Sequence, residues 1–90
     1  MKYRTMTGIV AQILQVAAQG EGASRSHIAY KALLTFKQLK DYMPLLMEEG
    51  FLIDYGSYGT ERLYKTSKKG DKFLQIYRCL AEYLPIGPQN

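Results

Sequence analysis

Histidine occurs once in this chain, as His27, and cysteine once, as Cys79, beside eight carboxylates in 90 residues. A nucleophilic triad needs a nucleophile, a base and an orienting group at one point, and acid–base catalysis needs a poised pair. One histidine, one thiol and scattered acids supply neither, so no catalysis and no cofactor are expected. A lone thiol also excludes an intramolecular disulfide and a thiolate metal cluster. His27 reads as a surface residue and no metal is assigned to it. The chemistry on offer is ionic. Twelve Lys and Arg against eight Asp and Glu give a net charge of +4 and a pI near 9.2. That balance suits a polyanionic partner if the charge is gathered on one face. Three groups of cations and hydrogen-bonding side chains invite that reading: Arg25 and Ser26; Thr35, Lys37, Gln38 and Lys40; and Tyr58, Arg62 and Lys65.

The elements that would carry them follow from the apolar spacing. Ile9, Val10, Ile13, Leu14 and Ala17 mark one face of a first helix over about 7–19, with Thr7 as its N-cap and Gly20-Glu21-Gly22 as its stop. Ser24 caps a short second helix, Arg25 to Lys31, and Ala32-Leu33-Leu34 turns the chain. Thr35 and Gln38 fit a capping box for a third helix to about Glu49. Phe36, Leu39, Met43, Leu46 and Met47 are expected on its buried face, with Leu45 pointing away and Pro44 bending it. Phe51-Leu52-Ile53 and Arg62 to Thr66 read as the strands of a hairpin with a flexible, glycine-bearing tip over 55–60. Thr66 or Ser67 caps a last helix over about 68–84, striped by Phe73, Leu74, Tyr77, Leu80 and Leu84 and ended by Pro85. Cys79 and the tyrosines Tyr30, Tyr42, Tyr64 and Tyr77 are expected to pack, the tyrosines with their hydroxyls at the surface. The order helix-helix-helix-strand-strand-helix describes one domain over 1–90 with its core at about 7–84. It is mostly α with a small β-hairpin wing (α+β), a winged helix-turn-helix. The N-terminus has no apolar run long enough for a signal peptide or membrane helix, so an intracellular place is expected.

Three runs carry a resemblance. They are Ser26-His27-Ile28-Ala29-Tyr30-Lys31-Ala32, then Leu34 to Tyr42 with Leu46 to Ile53, and Tyr64-Lys65-Thr66-Ser67-Lys68-Lys69-Gly70. Over roughly Ile9 to Leu84 the chain resembles the archaeal winged-helix DNA-binding family that includes small, basic, chromatin-type proteins. The resemblance implies double-stranded DNA as partner, a cytoplasmic, nucleoid-associated place, and often a homodimer through the C-terminal helix. Some relatives extend that helix into a long coiled coil, whereas Pro85, Gly87 and Pro88 stop it here.

In such a fold the third helix enters the major groove with its N-terminus leading. Lys37 and Lys40 would meet phosphates or guanine edges, Thr35 a phosphate, and Gln38 an adenine unless the capping box holds it. Arg25 and Ser26 would take a phosphate at the start of the second helix. Arg62 and Lys65, with Tyr58 at the tip, would place the wing on the backbone or minor groove. The alternative for each is an ordinary solvated face. Lys68, Lys69 and Lys72 crowd the last helix's first turn, where the dipole opposes them. Phe73, Tyr77, Leu80 and Leu84 are spaced like a dimer seam, and equally like a helix covering its own core. A transcription regulator is the leading reading. An abundant, sequence-indifferent chromatin protein and a protein-interaction module remain beside it.

Overall fold

A computed structural model describes residues 5–83. Four helices and a hairpin follow one another as α1 (Met6–Ala17), α2 (Arg25–Ala32), α3 (Phe36–Glu48), β1 (Leu52–Tyr58), β2 (Glu61–Thr66) and α4 (Lys68–Tyr83). This is the expected order and the expected fold class. Leu84 and the residues after it lie outside the described chain.

The core gathers the apolar faces of all six elements. Ile13, Leu14, Ile28, Leu39, Leu46 and Leu52 are its largest fully buried side chains. Each such side chain contributes about 1.5–3 kcal/mol when removed from water. Leu74 and Tyr77 close the core from α4.

Several local expectations need correction. The N-cap of α1 is Thr5, not Thr7: Thr5 Oγ1 accepts the Gly8 N–H at 2.9 Å, and the buried face already begins at Gly8. Phe36 is 64% exposed rather than buried. Its spacing from Leu39 puts it on the apolar stripe, but as the first residue of α3 it lies beyond the end of the core. Tyr30 and Cys79 are exposed rather than packed. Each stands two residues past a buried one (Ile28, Tyr77), about 200° round its helix. Both strands run further than expected, so the tip shrinks to Gly59-Thr60. A register shift between Asp54 and Ser57 absorbs the Tyr55-Gly56 pair. Gly56 makes the shift possible at φ 104, where a side chain would be strained. Pro44 lies inside α3 as expected, on its exposed side, and the helix continues through it to Glu48.

One joint ties these elements together. Thr66 is buried, and its hydroxyl donates to the Leu14 carbonyl of α1 at 2.6 Å. Ser67, not Thr66, caps α4: its Oγ accepts the Gly70 N–H at 3.1 Å and donates to the Gly50 carbonyl at 2.5 Å. The Ser67 N–H reaches the Phe51 carbonyl at 2.9 Å. Lys69 donates to the Glu49 carbonyl at 2.7 Å and lies over the Phe51 ring. The lysine that opposes its own helix dipole thus satisfies the C-terminus of α3. Gly70 is packed so closely that a β-carbon there would sit 2.6 Å from the Phe51 carbonyl oxygen and 2.5 Å from Thr66 Cγ2.

Two stability predictions follow from this packing. Helix propensity favours alanine over glycine by about 1 kcal/mol. Gly70→Ala is nevertheless expected to lose about 1–3 kcal/mol in denaturant melts, because backbone must move to admit the methyl. The Tyr77 hydroxyl is buried with no hydrogen-bond partner among the described residues, so Tyr77→Phe is expected to be neutral or to stabilise by up to about 1 kcal/mol. Burial also pushes the Tyr77 phenol up. The unfolded chain therefore ionises first, and this contribution to stability is present below about pH 10 and lost above it. Melts at alkaline pH should show a shallower decline for Tyr77→Phe than for the parent.

Candidate nucleic-acid interface

The candidate site begins at a single backbone pairing. Ala23 and Tyr64 exchange N–H···O bonds of 2.8 Å in both directions, laying the chain before α2 along β2. Ser24 follows in extended conformation and its hydroxyl caps α2 by accepting the His27 N–H at 3.2 Å. The start of α2 is thereby fixed beside the returning strand of the wing. Ser24, Arg25 and Ser26 share one concavity with Glu61, Arg62 and Tyr64. Arg25 and Tyr64 also border a second, between α2, β2 and α3, where Lys40 and Phe36 join them.

The capping box at the start of α3 is formed. Gln38 Oε1 accepts the Thr35 N–H at 2.9 Å, and Thr35 Oγ1 accepts the Gln38 N–H at 3.1 Å. Gln38's carbonyl oxygen is therefore engaged by its own helix. The turn ahead of α3 closes on Leu33 in the left-handed region at φ 57, a conformation that costs a side-chain-bearing residue about 1–2 kcal/mol. Thr35, Lys37, Gln38 and Lys40 are all exposed. Asp41 and Glu48 are exposed on the same helix, so its charge is mixed.

Arg25, Lys40 and Arg62 are thus brought to one side of the molecule by the two adjoining concavities, with Ser26 among them. Lys37 and Gln38 are exposed on the first turn of α3 but line neither concavity. Tyr58 is 82% exposed at the wing tip. Lys65 stands apart: its ammonium donates to the Gly20 carbonyl at 2.7 Å and lies 5.4 Å from the centre of the Tyr55 ring. Alternation along β2 sends residues 62 and 64 to one face and residue 65 to the other.

Sequence reasoning missed Asp54. Its carboxylate accepts the Gly56 N–H at 3.0 Å and pairs with the Arg62 guanidinium at 2.6 Å. The partnership depends on the register shift, which no residue spacing announces. Of the dimer-seam residues, Tyr77 is buried in the chain's own core, Phe73 is half-buried and Leu80 is exposed, with Ile76 exposed beside it. Leu84 lies outside the described residues. Among the described residues no group of three or more His, Cys, Asp and Glu could hold a metal, and no helix is long and apolar enough to cross a membrane.

The winged helix-turn-helix family model matches residues 3–84. The chain belongs to this family. Comparison with curated proteins finds no match. Among solved structures the chain is similar to Sso10a-2, a DNA-binding protein from Sulfolobus solfataricus. The TM-score is 0.76 at 16% identity, over 89% of this chain and 81% of that one. It is also similar to MepR, a transcription regulator of the Staphylococcus aureus multidrug efflux pump MepA, with TM-score 0.74 at 13% identity over 91% of this chain. The repressor CouR, bound to a 23-mer DNA duplex, gives TM-score 0.69 at 15% identity over 80% of this chain. The chain spans 61% of MepR and 52% of CouR. At these identities the likeness is one of fold.

The hydrogen bond from Gly56 and the Arg62 guanidinium hold the Asp54 carboxyl below its ordinary value. A depressed carboxylate stabilises the folded wing above the unfolded value near pH 3.9, and that contribution is lost as pH falls through the folded value. In an NMR titration the Gly56 amide should shift with a midpoint below about 3.9, and Arg62→Gln should move that midpoint upward.

Proposed function

We propose that this winged helix is a non-catalytic binder of double-stranded DNA that acts as a transcription regulator in the cytoplasm, on nucleoid DNA. The observation that carries the reading is the gathering of Arg25, Lys40 and Arg62 on one side, next to the exposed first turn of α3. In this arrangement α3 enters the major groove with Thr35, Lys37 and Gln38 leading. Arg25 and Ser26 take a phosphate at the start of α2. Arg62 and Tyr58 place the wing on the flanking backbone or minor groove, and Lys65 braces the wing from behind. Gln38 offers its amide N–H to a base while its oxygen stays in the capping box.

The DNA-bound repressor and the regulator of similar fold support this reading, and the archaeal DNA-binding protein supports duplex binding without deciding between regulator and chromatin protein. A homodimer through α4 completes the proposal, with Phe73 and Leu80 as contacts and Leu84 beyond them. Tyr77 serves the core of each copy.

Fluorescence anisotropy with a random duplex of about 30 base pairs, over a range of salt, tests the reading. Affinity should fall linearly in log salt with a slope of about −0.9 per phosphate neutralised, and Arg25→Gln and Lys40→Gln should each lower the slope's size by about 0.9. Selection from a random pool should return inverted repeats with half-sites about one helical turn apart, as a symmetric dimer on α4 requires. No binding at low salt overturns the DNA reading. Binding without sequence enrichment replaces the regulator by a chromatin protein.

A further inference from the structure

The concavity between α2, β2 and α3 has an apolar floor that phosphate contact does not explain. Phe36 is 64% exposed at the first position of α3. A solitary exposed aromatic ring means little. Phe36, however, shares the concavity with Met43, Pro44 and Met47, while Arg25 and Lys40 stand on the same wall. Its place in the folded chain does not need an aromatic ring, since the core already ends at Leu39 one turn further in.

We propose that Phe36 is a specificity-determining residue that packs against the C5-methyl groups of thymine in the major groove. The inference rests on the DNA reading above and deepens it by naming the base feature that is read. The floor of the major groove offers donors, acceptors and one apolar group, the thymine methyl, between two rows of phosphates. A cation-flanked apolar surface at the leading end of α3 has the matching layout: Arg25 and Lys40 meet the phosphates and Phe36 meets the methyl. The capping box engages the oxygen of Gln38, so an apolar contact adds to the limited discrimination that Lys37 and the Gln38 amide N–H supply. A single-strand platform would need several neighbouring exposed rings, and the other ring in this concavity, Tyr64, is buried.

The test uses duplexes enriched from a random pool, resynthesised with uracil in place of thymine so that only the methyl groups are removed. The parent protein should bind the uracil duplexes more weakly, by about fourfold for each methyl contacted. Phe36→Ala should bind both forms alike and keep the parent's salt slope, and Phe36→Leu should retain the preference. Circular dichroism verifies that the variants are folded. Equal binding of the two duplexes by the parent overturns the proposal, as does a Phe36→Ala protein that still prefers thymine. A Phe36→Ala protein with unaltered binding to every duplex also overturns it and leaves the concavity to a protein partner. Failure of the parent reading looks different: no salt-dependent binding to any duplex, with or without the Phe36 side chain.

Discussion

The absence of a side chain at Gly70 is the constraint on which the rest of the structure depends. It lets the first turn of α4 close onto the Phe51 carbonyl, inside the distance a β-carbon would require. With that approach made, Ser67 reaches the carbonyls at the end of α3, and Thr66 reaches α1. The whole stretch from Tyr64 to Gly70 acts as a joint, in which Tyr64 bonds to Ala23, Lys65 to Gly20 and Lys69 to Glu49. This is why a tyrosine-lysine-threonine run followed by lysine and glycine can mark the fold while containing few residues aimed at a ligand.

The same joint sets the candidate interface. Because Tyr64 pairs with Ala23, the start of α2 cannot drift from the wing, and Arg25 is held near Arg62. Arg25 is the first residue of α2 and Arg62 the second of β2, so their backbones are fixed by packed elements. The electrostatics are balanced rather than strongly positive. Asp54 occupies Arg62, Glu61 borders the same concavity, and Asp41 and Glu48 sit on α3. Any polyanion at this surface would compete with Asp54 for one of the three gathered cations.

Much of this was legible in the sequence, for identifiable reasons. Element order, the Ser24 cap and the Thr35–Gln38 box are local signals, set by residues within a turn of one another. The stripe Leu39, Met43 and Leu46 reports a helix face wherever the helix lies. What failed were properties that depend on where the core ends. Phe36 has the spacing of a core residue but overhangs the edge, and Cys79 and Tyr30 sit a half-turn past it. The site was half legible: the exposed cations of α2 and α3 were foreseen. The Asp54–Arg62 pair and the backward turn of Lys65 were not, because both hang on strand register and a register shift. Tyr58 and Leu80 stand exposed, Phe73 is half-buried, and Arg62 is held by Asp54.

The register shift between Asp54 and Ser57 divides the hairpin into two mechanical halves. Below it, Leu52, Tyr64 and Thr66 are buried and belong to the cooperative core. Above it, residues 56–61 are exposed, and beyond its own hydrogen bonds the ladder there is tied down by the Arg62–Asp54 ion pair, which crosses the shift. The upper half can unzip from the tip as far as that pair while the core below stays closed, so its amides should trade protons with solvent long before those of the core. Length is free there in the same sense: residues inserted at the tip lengthen an exposed turn, while the facing of each strand stays set by its anchor in the core.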